Sequence, residues 1–339
     1  MRERLSFIDA LRGVAALGVV LYHSEEANHI PMLEARLPWI GYFLEYGHFG
    51  VPIFFVLSGF VIALSLDERA LNLSTVTRFM MRRSIRLDPP YWVAIAIAMA
   101  VAFTNERNLS SFSLTQVIAH LFYMQELLGY REISIVFWTL TFEFQFYLAY
   151  SFLMCSPRQD IALWVAMAVS LLWPLHILPV LAPGLFLHLW HGFLLGVCAY
   201  WTLKKGFPLP IFFGYALVVG LFGGPFSTAC ALTASLIVIV GLRNKLDSLN
   251  WPWIQGLGAI SYSLYLIHNP VTGATFRIAD RLSKDTGVSE AVWWAISLVL
   301  CISAAALIWW LVERPSISLA RRLRLAPKRE RPVASSSPR

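Results

Sequence analysis

The chain has 339 residues, of which 58% are hydrophobic, 14% aromatic and only 14% charged, and its mean hydropathy is +0.62. A soluble domain carries about 25% charged residues, so this composition excludes an ordinary soluble enzyme, a disordered chain and a coiled coil. It predicts an all-α protein embedded in lipid. The net charge is +7, and in a membrane protein the placement of the basic residues indicates the topology. We do not expect nucleic acid as a partner.

Ten apolar segments are long enough to be membrane helices, each of which needs about 20 mostly apolar residues and somewhat fewer in a tight bundle. The sequence therefore predicts a polytopic bundle of about ten transmembrane helices. The stretch Thr115–Leu128 is amphipathic and is not counted among them. The approximate helix cores are 7–23, 48–66, 88–103, 134–154, 160–176, 185–203, 208–223, 226–242, 254–271 and 291–312.

The distribution of lysine and arginine predicts the orientation of this bundle. With the N-terminus in the cytoplasm, the inner segments hold twenty basic residues and the outer segments six, which agrees with the positive-inside rule. We expect both termini in the cytoplasm, residues 1–315 as one transmembrane domain, and residues 316–339 as a basic, disordered tail. The four cysteines show no CxxC spacing, so we expect no metal site.

The first helix carries three ionisable residues, which are costly inside a membrane and indicate a functional site. Arg12 and His23 are 11 residues apart, so they share one helix face at about 16 Å along the axis. Asp9 lies three residues before Arg12 and can pair with it. The alternative is an interfacial ion pair with an interfacial histidine.

A second group of cations follows the second predicted span, in which Ser58–Gly59 indicates close helix packing. Arg83 and Arg86 are spaced to lie on one helical face, and such paired guanidinium groups suit phosphates, although basic anchoring at the inner surface is the alternative. Residues 88–90, Asp-Pro-Pro, predict a break before the third span.

Polar residues within two later spans complete the candidate site. Glu143 and Gln145 follow Trp138 inside a strongly aromatic segment, where an acid suits proton handling or a structural hydrogen bond. The ninth span contains Tyr262 and His268 before a proline, which fits either a substrate contact or a helix cap.

These residues lie in stretches that resemble the acyltransferase family 3 membrane proteins. The similar stretches are FIDALRGVAALGVVLYH with its Arg12 to His23 spacing, FGVPIFFVLSGFVI, RRSIR followed by PPY, FWTLTFEFQFYL and ISYSLYLIHNP, in family order. The resemblance implies a ten-helix O-acyltransferase of the cytoplasmic (inner) membrane of a bacterium. It also implies that the enzyme transfers an acyl group, usually acetyl from acetyl-CoA, to a hydroxyl of a glycan, polysaccharide or glycolipid beyond the membrane.

Together with the resemblance, the residues predict a mechanism. We expect His23 to act as general base or acyl carrier, Glu143 to orient its imidazole from a similar depth, and Arg12 to balance developing charge. We expect Arg83 and Arg86 to bind the phosphates of acyl-CoA. Substrate contacts are assigned to four further side chains, Tyr262, His268, Trp138 and Gln145. This mechanism requires a water-accessible passage that joins Arg12 to His23.

Two other classes of protein fit parts of the pattern. A transporter or flippase would use His23 and Glu143 as a proton relay, but the sequence shows no inverted repeat. A structural scaffold would not need Arg12 or Glu143. The acceptor, the acyl chain and the oligomeric state are left open by the sequence.

Overall fold

The computed structural model describes residues 5–27, 29–67, 72–106, 112–282 and 287–323, and throughout these ranges the regular structure is helical without a strand. The all-α prediction is therefore confirmed for the described chain. Its α-helices are α1 Ser6–Glu26, α2 Pro31–Arg36, α3 Pro38–Glu45, α4 Gly50–Leu66, α5 Leu73–Glu106, α6 Leu114–Leu121, α7 Trp138–Leu153, α8 Gln159–Ser170, α9 Trp190–Lys205, α10 Leu209–Phe222, α11 Gly224–Leu242, α12 Pro252–Leu282, α13 Gly287–Ile308 and α14 Arg314–Arg322.

Each of the ten predicted segments overlaps one of these helices. Five helical stretches of the described chain are long and apolar enough to cross a membrane, namely Ser6–Glu26, Pro38–Leu66, Leu73–Thr104, Gly224–Leu242 and Ser289–Arg322. The chain is thus a membrane protein by composition and helix length, whereas the count of ten crossings and the side of the termini stay predictions.

Helix α5 corrects the predicted break at residues 88–90, because it continues through Pro89 and Pro90. The two prolines lack amide hydrogens and so remove two backbone hydrogen bonds within the helix. The carbonyls that lose their helical donors are those of Ile85 and Arg86, and the hydroxyl of Tyr262 donates to the adjacent carbonyl of Leu87 at 3.0 Å. In an apolar setting a helix with two missing hydrogen bonds is still preferred to an open loop, which would leave more backbone groups without partners. The arginines before the prolines and the apolar segment after them therefore belong to one helix.

Glycines set the close packing of the central helices. A Cβ atom on Gly13 of α1 would lie 2.7 Å from the backbone nitrogen of Gly258 in α12. On α4, a Cβ at Gly59 would overlap the carbonyl oxygen of Phe193, and on α9 a Cβ at Gly196 would overlap that of Val56. Small residues let two membrane helices approach backbone to backbone, which confirms the packing interpretation of Ser58–Gly59.

Substitution of Gly196 by alanine is expected to lower the folded yield of the protein strongly, because the added methyl group must push α4 and α9 apart. The matched control is Gly214→Ala in α10, where a Cβ atom meets nothing within 4 Å. The measurement is the fraction of monodisperse protein after detergent extraction, relative to total membrane protein. Equal yields for the two variants would contradict this packing.

The last membrane helix ends in an irregular turn. One turn of π-helix, Trp309–Glu313, joins α13 to α14, and such turns are frequent at functional sites. Glu313 is 2% exposed and accepts a hydrogen bond from Ser263 at 2.7 Å, so it lies inside the bundle and is not a surface cap. Helix α14 carries ordered structure to Arg322, and residues 324–339 of the predicted tail lie outside the described residues.

Candidate active site

A cavity lies between α1, α4, α5, α7 and α12. Five of the predicted site residues line it together: Arg12, Arg83, Arg86, Glu143 and Tyr262. We refer to it as the arginine cavity. The structure thus brings residues from four separate predicted motifs to one place.

The carboxylate of Glu143 is held by a hydrogen-bond network at the wall of the arginine cavity. It accepts hydrogen bonds from the hydroxyl groups of Ser58 and Tyr147, and its Oε1 lies 3.7 Å from an Nη atom of Arg83. Arg83 also donates to the Tyr147 hydroxyl, and its guanidinium carbon lies 4.1 Å from the centre of that ring. Tyr147 lies one helical turn after Glu143, and from this spacing the hydrogen bond between the two side chains could have been predicted.

Cationic groups outnumber carboxylates in the lining of the arginine cavity, where three guanidinium groups lie beside Glu143. The buried carboxylate of Glu313, behind this lining, interacts electrostatically with Arg12 and Arg86. The Nε atoms of Arg83 and Arg86 are buried and have no hydrogen-bond partner within the described chain. Buried charged groups are normally paired, so these two unpaired donors suit an anionic ligand that enters the cavity.

Near the end of α1, His23 contacts His268 of α12, and both are predicted site residues. The imidazole rings of His23 and His268 are stacked, with centroids 5.3 Å apart and planes at 27°. Nδ1 of His268 lies 2.8 Å from the carbonyl oxygen of Tyr265 and must donate to it. Its Nε2 atom is therefore the unprotonated one in the neutral ring, and this atom is buried without a partner in the described part of the chain.

The partner of His23 differs from the prediction. Its Nδ1 atom lies 2.7 Å from Oε2 of Glu26, three residues later on α1, so that Nδ1 donates and Nε2 is free to accept a proton. Glu143, in contrast, lies beside Arg83 in the arginine cavity. The expectation that Glu143 lies at the depth of His23 and orients it is wrong, because Glu26 occupies that position. Because Glu26 follows His23 by three residues on one helix, the sequence could have indicated this pair.

Helix α12 lines two cavities, one on each side of the histidine pair along its length. Tyr262 and Tyr265 line the arginine cavity. Asn269 and Arg277, toward the other end of the helix, line a second, widely open cavity, which we call the outer cavity. His268 lies between the two sets along α12, three residues after Tyr265 and directly before Asn269.

The predicted passage from Arg12 to His23 is therefore not one continuous space. Arg12 lines the arginine cavity, whereas His23 lines neither of the two cavities. The ring of Tyr265 lies at the boundary, since it lines the arginine cavity and its centroid is 6.1 Å from that of His268. The histidine pair thus separates two cavities where the sequence suggested a single channel.

The remaining predicted substrate contacts divide into two groups. Tyr262 lines the arginine cavity. Gln145 donates to the carbonyl of Gly184 at 2.9 Å and accepts from the amide of Phe186 at 3.0 Å, and Trp138 packs edge-on against Phe55. Neither Gln145 nor Trp138 lines the arginine cavity or the outer cavity, and their assignment as substrate contacts stays a prediction.

Comparison with known proteins identifies the family of this chain. A family model described as an acyltransferase domain matches residues 5–313. The chain belongs to acyltransferase family 3.

Rhizobial proteins are among the similar members of this family. The chain is 25% identical over 312 residues to the exopolysaccharide production protein ExoZ of Rhizobium meliloti, covering 84% of this chain and 94% of that protein. It is 27% identical over 372 residues to nodulation protein 10 of Rhizobium leguminosarum bv. viciae, covering 94% and 96%. No solved structure matches.

One cluster of ionisable residues was not predicted from the sequence. It lies between α6 and α7, where Nε2 of His120 is 3.3 Å from Oε2 of Glu132 and accepts a hydrogen bond from the amide of Ile133 at 3.1 Å. Glu126 is part of the same cluster. Burial, followed by the interaction with the Glu132 carboxylate, raises the pKa of Glu126 to about 7.

Removal of the Glu126 charge is expected to stabilise the protein at alkaline pH. Because the folded-state pKa lies above the usual value of 4.5, the folded state holds the proton more tightly, and stability falls as pH rises from about 4.5 to about 7. Glu126→Gln should therefore raise the unfolding temperature at pH 8, and the gain should shrink toward pH 5. The measurement is thermal unfolding of detergent-solubilised protein across this range. A gain of equal size at pH 5 and pH 8 would contradict the assignment.

Proposed function

We propose that this chain is an O-acyltransferase that moves an acyl group, most simply acetyl, from cytosolic acyl-CoA to a hydroxyl group of an extracytoplasmic glycan or glycolipid. The observation that carries the proposal is the arginine cavity, with its unpaired guanidinium donors, placed next to a pair of histidines whose Nε2 atoms are free. The setting is the cytoplasmic membrane of a bacterium.

The donor phosphates bind to the three arginines of the cavity. Arg12, Arg83 and Arg86 supply forked donors that match phosphate oxygens, and the unpartnered Nε atoms of Arg83 and Arg86 support an anion there. Glu143 holds Arg83 in place through their ion pair and through Tyr147. Arg12 and His23 are about 16 Å apart along the helix, a distance that a long pantetheine arm can cover. For the thioester to reach His23, the side chain of Tyr265 at the boundary of the arginine cavity must move aside.

The chemical step takes place at the histidine pair. Nε2 of His23 accepts the proton of the acceptor hydroxyl as the oxygen bonds to the acyl carbon, the carbon–sulfur bond breaks, and the thiolate of CoA leaves and takes up a proton. Glu26 holds the ring by its hydrogen bond to Nδ1 and stabilises the imidazolium. His268 packs against the ring and presents a second unprotonated nitrogen at the same place.

The relatives support the acceptor class. One of them is named for exopolysaccharide production and another for nodulation, and we infer a surface glycan or its lipid-linked precursor as the acceptor of this chain.

The test uses inside-out membrane vesicles with acetyl-CoA labelled in the acetyl group. We expect label to appear in alkali-labile esters of the glycan fraction, and to be absent from vesicles that carry His23→Ala. Labelled acetate released only into water, or no consumption of acetyl-CoA by vesicles with the wild-type chain, would contradict the proposal. Movement of unlabelled glycan across the membrane without ester formation would favour a transporter instead.

A further inference from the structure

The outer cavity has the features of a binding site of its own. It lies beyond the histidine pair from the arginine cavity, between the second half of α5, the segment before α7 and the second half of α12. Its polar lining comprises His29, Ser134, Asn269 and Arg277. The hydroxyl of Ser134 is buried and has no hydrogen-bond partner within the described chain, so it is available to a ligand.

One face of α12 forms the wall of the outer cavity. Asn269, Gly273 and Arg277 follow each other at intervals of four residues and therefore lie along one stripe of the helix. A Cβ atom on Gly273 would meet nothing within 4 Å, so the glycine leaves open space between the amide and the guanidinium group. The stripe begins directly after His268, which places a ligand of this cavity beside the histidine pair.

The charge in the outer cavity comes from Arg277. The structure shows no ion pair or hydrogen bond of its side chain with any residue of the described ranges. His29 is stacked flat on Phe276, with ring centroids 4.4 Å apart, and burial lowers the pKa of His29, so this ring is a neutral hydrogen-bonding group at pH 7. Asp280 and Arg281, one turn farther on, are both exposed.

We propose that the outer cavity binds the acceptor and that Arg277 selects a sugar that carries an oxyanion, either a carboxylate or a phosphate. The proposal rests on the acyltransferase function given above and names the substrate class of that reaction. The guanidinium group binds the oxyanion through paired hydrogen bonds, while Asn269, Ser134 and His29 bind neutral hydroxyl groups. The sugar seated in this way presents one hydroxyl group toward His268 and His23.

Binding of defined sugars to the purified full-length protein in detergent tests the proposal without the enzyme reaction. The probes are tetragalacturonate for a carboxylate, glucose 1-phosphate for a phosphate and maltotetraose for a neutral sugar, each titrated by calorimetry. We expect one or both acidic probes to bind and maltotetraose to bind at least about tenfold more weakly, because a charged hydrogen-bond pair is lost. The acidic probe that binds identifies the source of the oxyanion.

Two variants with matched controls locate the site. Arg277→Gln should lower the affinity for the acidic probe at least about tenfold, whereas Arg281→Gln on the next turn should leave this affinity unchanged. Gly273→Leu should fill the outer cavity and abolish binding, whereas Gly256→Leu, at the other end of α12, should not, since a Cβ meets nothing within 4 Å at either glycine. The unfolding temperature without ligand shows whether each variant is folded.

Two results would overturn the proposal: equal affinity for maltotetraose and the acidic probes, or unchanged affinity in folded Gly273→Leu. Failure of the acyltransferase function is a separate result, because it appears as a lack of acetyl-CoA consumption by the wild-type vesicles whatever the sugar titrations show. Folded Arg277→Gln and Gly273→Leu that consume acetyl-CoA but no longer form glycan esters would support both parts.

Discussion

Replacement of His23 by alanine is expected to lower the rate of acyl transfer by about 10²–10⁴-fold, the range contributed by a general base. The reason is local, since His23 presents a free Nε2 next to His268 while Glu26 holds its other nitrogen. The measurement is ester formation in membrane vesicles at equal amounts of membrane-inserted protein.

Two companion variants separate catalysis from folding. Glu26→Gln keeps a hydrogen-bond acceptor for the ring but removes the charge, and it should lower the rate less than His23→Ala and shift the pH profile of the reaction. His48→Ala is the matched control, because His48 lies in the same outer region and its Nδ1 contacts only the carbonyl of Glu45 at 2.5 Å. Near wild-type transfer by His23→Ala would exclude the role of His23 as the base.

Substitution of Glu143 by alanine is expected to destabilise the protein by about 3–5 kcal/mol, the cost of leaving one partner of a buried ion pair alone. The side chains of Arg83 and Glu143 are only 13% and 21% exposed, so the guanidinium group cannot recover the lost contact from water. We expect low folded yield and a lower unfolding temperature in detergent. Glu143→Gln, which keeps an acceptor for Ser58 and Tyr147, should lose less stability than Glu143→Ala.

Two comparisons identify the buried charge as the cause. The double variant Arg83→Met, Glu143→Leu removes both charges and should recover much of the folded yield, but not the affinity for acyl-CoA. Asp9→Ala breaks the pair of Asp9 and Arg12, in which Asp9 is 51% exposed at a distance of 3.9 Å, and should cost less than about 1 kcal/mol. If Glu143→Ala were as stable as Asp9→Ala, the pair would not be buried as described.

Much of the candidate site follows from properties of single helices. The low charge content and the apolar segments predict membrane helices, and the helical repeat places Arg83 and Arg86 on one face of α5. Any ionisable residue inside such helices is costly enough to indicate a role, which is how Arg12, His23 and Glu143 were identified. The pairing of Asp9 with Arg12, predicted from their spacing of three residues, is also present.

The errors of the sequence analysis occurred where two helices had to be placed relative to each other. Hydropathy indicates that Glu143 lies inside the membrane but fixes neither its depth beside Arg83 nor its distance from His23. The contact of the Tyr262 hydroxyl in α12 with the carbonyl of Leu87 in α5 likewise joins two helices, and the pattern of neither helix alone predicts it.

The sequence by itself determined that this protein is an all-helical membrane protein of acyltransferase family 3, and which of its helices carry the cations, the acid and the histidines. Only the tertiary structure decided that Glu143 pairs with Arg83, that His23 stacks on His268, and that the histidine pair divides two cavities. The physical reason is that the register between helices is set by contacts such as that of Gly13 with Gly258. These residues are far apart in the chain, and no periodicity within one helix reports their distance.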